Sequence, residues 1–319
     1  INLNAIMNLP KGTEHFMSDL HGEYDAFYHI INNCSGVIRE KVAMLYGDEL
    51  TVYEQQELCT LIYYPREKLS ILMDENKVND EWYRNVLNHL IQIAKLLSSK
   101  YTRSKVRKAM PVDFAYIIDE LIHAQKDEDD NRSVYHRQIM ETILSLHNGD
   151  EFLVALTDLI KRLAVDHLHI LGDIYDRGSH ADKILDLLME HHSVDIQWGN
   201  HDILWMGAFC GNPVCMALVV RNNIKYKTMS ILENGYGISL RFLLQFAVNT
   251  YSDKNVDDAV YKAISVILFK LEGQLIKRHP EYRMEGRLLL DKMNLDKGTV
   301  RIGDKDYFLN TNEFPTVDM

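Results

Sequence analysis

Apolar and polar positions alternate and then recur at helical spacing within the first 35 residues. Residues 13–19 (TEHFMSD) predict a short strand, and Tyr24, Phe27, Tyr28 and Ile31 set apolar or aromatic groups on one face of a helix over 22–33. From 36 to 164 the pattern is helical almost throughout, in roughly seven amphipathic segments separated by breakers such as Pro65, Asn79 and Pro111. The plainest segment is 82–97, where Trp82, Val86, Leu87, Leu90, Ile91, Ala94 and Leu97 stripe one side. The charge run at 126–130 (KDEDD) reads as a solvated loop.

The pattern changes after 164. Residues 166–171 (DHLHIL) predict a second strand leading into GDIYDRG, and Ser179 with Asp182 forms a capping-box pattern for a helix reaching His191. Residues 194–198 (VDIQW) predict a third strand running into GNHD and another helix. Strand, loop, helix, repeated, is α/β grammar. Long helical patterns follow as far as His279, with Pro280 as the stop, and 299–309 predicts a hairpin turning at Gly303 and Asp304. The expected domains are a core segment over 1–35, a helical insertion over 36–164, and a return to the core over 165–319.

Composition adds constraints on partners. With 46% apolar and 25% charged residues in 319, the chain has ordinary globular proportions. The longest apolar stretches, 215–220 and 263–269, fall far short of the roughly 20 residues of a membrane span, so no membrane partner is expected. A net charge of -11 argues against nucleic acid and means that any phosphate site must carry its own cations. Four cysteines without CxxC spacing fit free thiols in a reducing compartment, which makes the cytoplasm the expected location. The chain opens INLN, without Met or a leader pattern, and is expected to start mid-gene. A homo-oligomer is compatible with everything in the sequence.

Three loops offer metal ligands, each after a predicted strand: Asp19 and His21 in SDLHG, Asp173 with Asp176 and Arg177 in GDIYDRG, and Asn200 with His201 in GNHD. Taken singly, each has an ordinary reading: a surface coincidence, a turn with a helix cap, a turn of left-handed-tolerant residues. In open α/β sheets, however, the carboxyl ends of neighbouring strands converge on one crevice, where such loops meet. Hydrolysis of a phosphomonoester needs cations on the phosphoryl oxygens and a nucleophile at neutral pH, and two divalent ions supply both. Asp19 and His21 would hold one ion, Asn200 the other, and Asp173 would bridge them, a mixed set suited to manganese, iron or zinc. His201 would give a proton to the leaving alkoxide, oriented and kept charged by Asp176, while Arg177 would grip phosphoryl oxygens.

Other residues have simpler expectations. His167 and His169 read as one packed and one solvated histidine, and His191 and His192 as caps at a helix end, ahead of metal binding in both cases. The cluster Leu204, Trp205, Met206 and Phe209 reads as core, with Trp205 placed to shape a pocket. Arg221 and Lys225 are charged helical positions with a lesser claim on phosphate.

The three blocks resemble the calcineurin-like metallophosphoesterases, whose motifs are DxH, GDxxDRG and GNH followed by Asp or Glu. More specifically, INLNAIMNLPKGTEHF, SDLHGEYDAFYHIINN, CSGVIREK, LIYYPREKL, WGNHDILWMGA, RNNIKY and NEFPTVD resemble the class III fructose-1,6-bisphosphatases of Gram-positive bacteria, nearly end to end. The resemblance implies an α/β fold: a calcineurin-like two-sheet sandwich flanked by helices and interrupted by a large helical insertion. It also implies the roles given above for Asp19, His21, Asp173, Asn200, His201, Asp176 and Arg177, Mn2+ as cofactor, a sugar bisphosphate as substrate, and a place in gluconeogenesis. The family's 1-phosphohydrolase activity is the leading expectation. A protein or nucleotide phosphatase of the same fold is the second, and a catalytically silent module whose helical insertion docks a partner is the third.

Two departures bear on these expectations. His21 and Asp173 lie 152 positions apart (173 − 21), which the insertion accommodates, and Trp198 and Asp202 flank GNH where protein phosphatases place Arg and Glu. Calcineurin-like sites also take two histidines from downstream of GNH, whereas 13 of the 14 histidines here lie at or before His201, leaving only His279. The chain is therefore expected to be an N-terminal and central fragment lacking half the metal shell, weak in metal binding and slow or inactive alone.

Overall fold

Helices dominate, and their ends follow from local chemistry. A computed structural model describes residues 2–124, 130–251 and 255–309, so of the charge run at 126–130 all but Asp130, which begins the Asp130–Ser145 helix, lies outside the described residues, as does the terminal NEFPTVD stretch. The Val52–Tyr63 helix opens with a reciprocal Thr51/Glu54 capping box, and Asn79 caps Asp80–Ser98 by accepting from the Trp82 N–H at 2.8 Å. Pro65 and Pro213 sit in the first turns of Pro65–Asp74 and Pro213–Tyr226, where a missing N–H costs nothing. The result is a helix-rich α/β chain.

The chain divides into two compact units. The first comprises Ile1–Met17, Asp25–Ile170 and His191–Asp195; the second comprises Ser18–Tyr24, Leu171–Glu190 and Ile196–Met319. Between 36 and 164 the described residues form eight α-helices, where the pattern predicted about seven. They bury one large core, with Gly149–Ala164 at its centre. That helix is buried over most of its surface, with Glu151, Asp158 and Arg162 left exposed, because it packs on Val37–Tyr46, Val52–Tyr63, Pro65–Asp74 and Asp80–Ser98. Asp80–Ser98 buries Leu87, Leu90, Ile91, Ala94 and Leu97 from the predicted stripe, and also Ile93, because it packs against several helices rather than one.

The strands form two three-stranded sheets. β1 (Glu14–Met17), β2 (His167–Ile170) and β3 (Val194–Ile196) lie in the order β1-β2-β3, with β1 and β2 parallel and Glu14 opposite His167, Phe16 opposite His169. Parallel neighbours need a crossover, and the helical block between them provides it. β4 (Met293–Asn294), β5 (Thr299–Ile302) and β6 (Lys305–Phe308) form an antiparallel sheet, with the predicted turn at Gly303. In the second unit, Val256–Arg278 packs on Pro213–Tyr226 and Arg241–Thr250 around a smaller core that includes Val214, Ala247, Ala263 and Leu268. No helix among the described residues is long and apolar enough to cross a membrane, and all four cysteines are free.

Four expectations need correction. The cluster Leu204, Trp205, Met206 and Phe209 is not core: Met206 is 46% and Phe209 94% exposed, and Leu204 and Trp205 are half-buried. His167 and His169 are not one packed and one solvated: residues two apart on a strand share a face, and both are half-buried. His191 and His192 do not cap the last turn of Ala181–Glu190; His191 bonds the Ser193 carbonyl and His192 the Val165 carbonyl, tying down the segment after the helix. That helix starts at Ala181, which leaves His180, not Ser179, at the cap position.

Burial also sets a pH response in the first unit. Burial holds the imidazoles of His15, His191 and His192 below their ordinary pKa, His191 at about 4. The unfolded chain therefore binds more protons than the folded one between about pH 6.5 and pH 4, and stability falls as pH falls through that window. Urea unfolding is expected to show this loss, of about 1–2 kcal/mol once solvent screening of the partly exposed His191 and His192 rings is allowed for. His191→Gln should flatten the slope, and an unchanged slope would contradict the assignment.

Candidate metal centre

The loops at 18–24 and 171–178 are held by backbone hydrogen bonds between them. The Asp19 N–H donates to the Gly172 carbonyl at 3.1 Å, His21 N–H to Asp173 at 2.8 Å, Gly22 N–H to Ile174 at 2.8 Å, and Gly178 N–H to His21 at 2.7 Å. Five non-glycine residues here have positive φ: Asp19 at 55°, His21 at 44°, Asp173 at 58°, Asp176 at 66° and Arg177 at 73°. Such backbones cost on the order of 1 kcal/mol or more each and persist only where the surroundings hold them. Gly22 lies so close to Gly178 that an added Cβ would come within 2.7 Å of its backbone. Gly22→Ala is accordingly expected to lower stability by about 2–3 kcal/mol and to loosen the 18–24 loop, measurable by urea unfolding and amide exchange.

Asp202 is an anchor that the sequence motifs do not assign. It is buried, and its carboxylate accepts from four backbone N–H groups: Asp173 at 2.7 Å, Ile174 at 2.9 Å, Tyr175 at 3.2 Å and Gly199 at 2.8 Å. One side chain thus ties the GDIYDRG loop to the start of the Asn200–Phe209 helix. The signal in the sequence is its place inside GNHD, where it reads only as a contrast with the Glu of protein phosphatases.

The structure brings Asp19, His21 and Asp173 together, with one ligand atom from each within 4.8 Å of the others. His21 Nδ1 lies 3.1 Å from the Tyr175 carbonyl and so carries a proton, and in the neutral imidazole this leaves Nε2 with its lone pair. That Nε2 is buried without a hydrogen-bond partner and lies 3.7 Å from Asp19 Oδ1. A buried bare imidazole nitrogen facing two carboxylates fits a divalent cation, and a carbonyl on the other ring nitrogen is the usual way such a ligand is oriented. Asn200 begins the Asn200–Phe209 helix and is exposed; the adjoining Gly199 abuts the Asp173 carboxylate.

His201 sits beside this cluster, its ring centroid 5.3 Å from that of His21 and its backbone N–H donating to Asp173 Oδ1 at 3.1 Å. Its Nδ1 is 2.7 Å from Asp176 Oδ2. Asp176, buried, also accepts from Trp205 Nε1 at 3.0 Å and from Asn222 Nδ2 at 2.9 Å. In the sequence Asn222 stands out only as part of the RNNIKY stretch. Tyr175 stacks on Trp205 at 4.3 Å and shares a 2.9 Å hydroxyl contact with Tyr236, making an aromatic wall behind the pair. Arg177 is exposed, as is Lys225, whereas Arg221 is half-buried. His279 pairs with Glu281 at 2.8 Å and belongs to neither group of potential ligands found among the described residues.

The whole chain, residues 1–319, matches the model of the Firmicute fructose-1,6-bisphosphatase family. The chain belongs to that family. It is 51% identical over 338 aligned positions to the fructose-1,6-bisphosphatase class 3 1 of Clostridium beijerinckii, covering 100% of this chain and 51% of the relative. It is 49% identical to the class 3 enzyme of Clostridium acetobutylicum, again over 100% of this chain and 51% of the relative. For that of Clostridium tetani the identity is 50%, with the same coverage. The chain thus spans about half the length of the curated relatives it matches. No solved structure matches it.

Proposed function

We propose that the protein to which this chain belongs is a divalent-metal-dependent fructose-1,6-bisphosphate 1-phosphohydrolase of gluconeogenesis, with Mn2+ as the metal. Family membership supports the substrate, and the observation that carries the chemistry is the buried, unpartnered His21 Nε2 facing Asp19. Asp19, His21, Asp173 and Asn200 would hold the metal. Bound there, two divalent ions would supply positive charge to the phosphoryl oxygens and a nucleophile at neutral pH. The contact of His201 Nδ1 with Asp176 turns its Nε2 toward use as the proton donor to the leaving sugar oxygen. Arg177, with its planar fork of donors, would hold phosphoryl oxygens.

The same reading extends to the frame. A calcineurin-like sandwich is supported by the parallel β1 and β2 strands, each running into a ligand loop. Residues 36–164 would be an inserted cap, and cytoplasmic location is supported by the four free thiols. The test is hydrolysis of fructose 1,6-bisphosphate, a phosphopeptide and a dinucleoside polyphosphate by the full-length gene product. Release of one phosphate from the sugar alone, lost with a chelator and restored by Mn2+, is expected. Preference for either other substrate, or undiminished turnover after chelation, would overturn the proposal.

A further inference from the structure

The face of the β1-β2-β3 sheet that carries Glu14, Phe16, His167 and His169 gathers a second set of ligating groups, which the activity proposed above does not use. His167 and His169 stand side by side with ring centroids 4.5 Å apart, and Asp195 on β3 reaches both. Its Oδ1 is 2.8 Å from His169 Nδ1, and its Oδ2 is 3.3 Å from His167 Nε2. These three residues each offer one ligand atom, all within 4.8 Å of one another.

Hydrogen bonding alone leaves this arrangement incomplete. If His169 Nδ1 carries the proton to Asp195, Nε2 is bare, and it is buried without a hydrogen-bond partner. If both rings are protonated, two cations face each other at 4.5 Å over one carboxylate. A cation among His167 Nε2, His169 Nδ1 and Asp195 removes the second difficulty, because it takes up both facing ring nitrogens and the carboxylate without two protonated rings. It moves the His169 proton to Nε2, which lies 3.9 Å from Glu14 Oε2, and the His167 proton already faces the Ser193 hydroxyl from Nδ1 at 2.6 Å. The His167 imidazole then has an orienting hydroxyl on its far nitrogen, the arrangement usual around bound metals, while the Glu14 carboxylate lies near the His169 N–H without a hydrogen bond to it. Phe16, stacked on His169 at 4.4 Å, sets the plane of that ring.

We propose that His167, His169 and Asp195 bind a divalent transition-metal ion of the zinc class, with the Ser193 hydroxyl orienting the His167 imidazole and Phe16 packing on that of His169. Two imidazoles and a carboxylate are borderline ligands suited to zinc, cobalt or nickel over calcium or magnesium. Because the ligands come from neighbouring strands, the ion pins β2 to β3 and need not take part in hydrolysis.

The test uses the full-length gene product with Asp173→Asn in the catalytic loops. Zn2+ titration against a chromogenic chelator should find a tight equivalent that Asp195→Asn weakens by about tenfold or more. Co2+ in its place should give the strong visible bands of tetrahedral nitrogen and oxygen coordination. Should Asp195→Asn fail to fold, His167→Gln serves in its place. An affinity unchanged by the variant that folds, or no tight equivalent in the Asp173→Asn protein, overturns the proposal. Either result leaves sugar-bisphosphate hydrolysis by the unaltered protein as a separate measurement.

Discussion

Replacing Asp202 by alanine is expected to destabilise the protein by roughly 3–5 kcal/mol, the largest stability loss of any exchange at the candidate site. Its carboxylate is the acceptor for four backbone N–H groups, those of Asp173, Ile174, Tyr175 and Gly199. Alanine leaves these donors facing one another in a buried pocket. Hydrogen bonds to an ionised acceptor contribute about 1.5–3 kcal/mol each, but those sharing one acceptor do not add in full. The conservative exchange Asp202→Asn should not restore the loss, since an amide presents its own donors to part of the ring. Urea unfolding gives the stability, and metal content gives the consequence for Asp173, whose left-handed backbone at φ 58° this carboxylate holds in place. A loss below about 0.5 kcal/mol, the level of an ordinary surface change, would contradict the anchoring role.

The second large effect is on turnover. On the activity proposed for the full-length protein, His201→Ala is expected to lower kcat on fructose 1,6-bisphosphate by about a hundredfold to ten-thousandfold, the range for loss of a proton donor, with KM changing less. The signature lies in the leaving group. A sugar alkoxide needs a proton as it departs, whereas nitrophenolate does not, so the loss on p-nitrophenyl phosphate should be far smaller. Asp176→Asn should reproduce part of it, about tenfold to a hundredfold, because the ring loses its orienting carboxylate and Trp205 and Asn222 lose an acceptor. An equal loss on both substrates would remove His201 from the proton-donor role.

Much of the helical architecture is legible because it is written locally. The stripe over 82–97 buries Leu87, Leu90, Ile91, Ala94 and Leu97, and Asn79, which reads as a breaker, is the cap that starts the helix. Ile93 falls outside the stripe because a single-face pattern assumes a single neighbour, and this helix has several. The paired histidines mislead for a different reason. Alternation along β2 suggests that they part, although period two places them together, and their partner Asp195 lies on another strand.

By itself the sequence determined most helix and strand positions and the three loops that carry Asp19, Asp173 and Asn200, since caps, apolar spacing and turn residues act over a few positions. Only the tertiary structure decided which groups meet. That His21 exposes a bare Nε2 to Asp19, that Asp202 gathers four amides, and that Asn222 reaches Asp176 each depend on strand order and helix packing across long stretches of chain. Hydrogen bonds and ion contacts form between neighbours in space, and periodicity along a chain carries no information about which distant segments become neighbours.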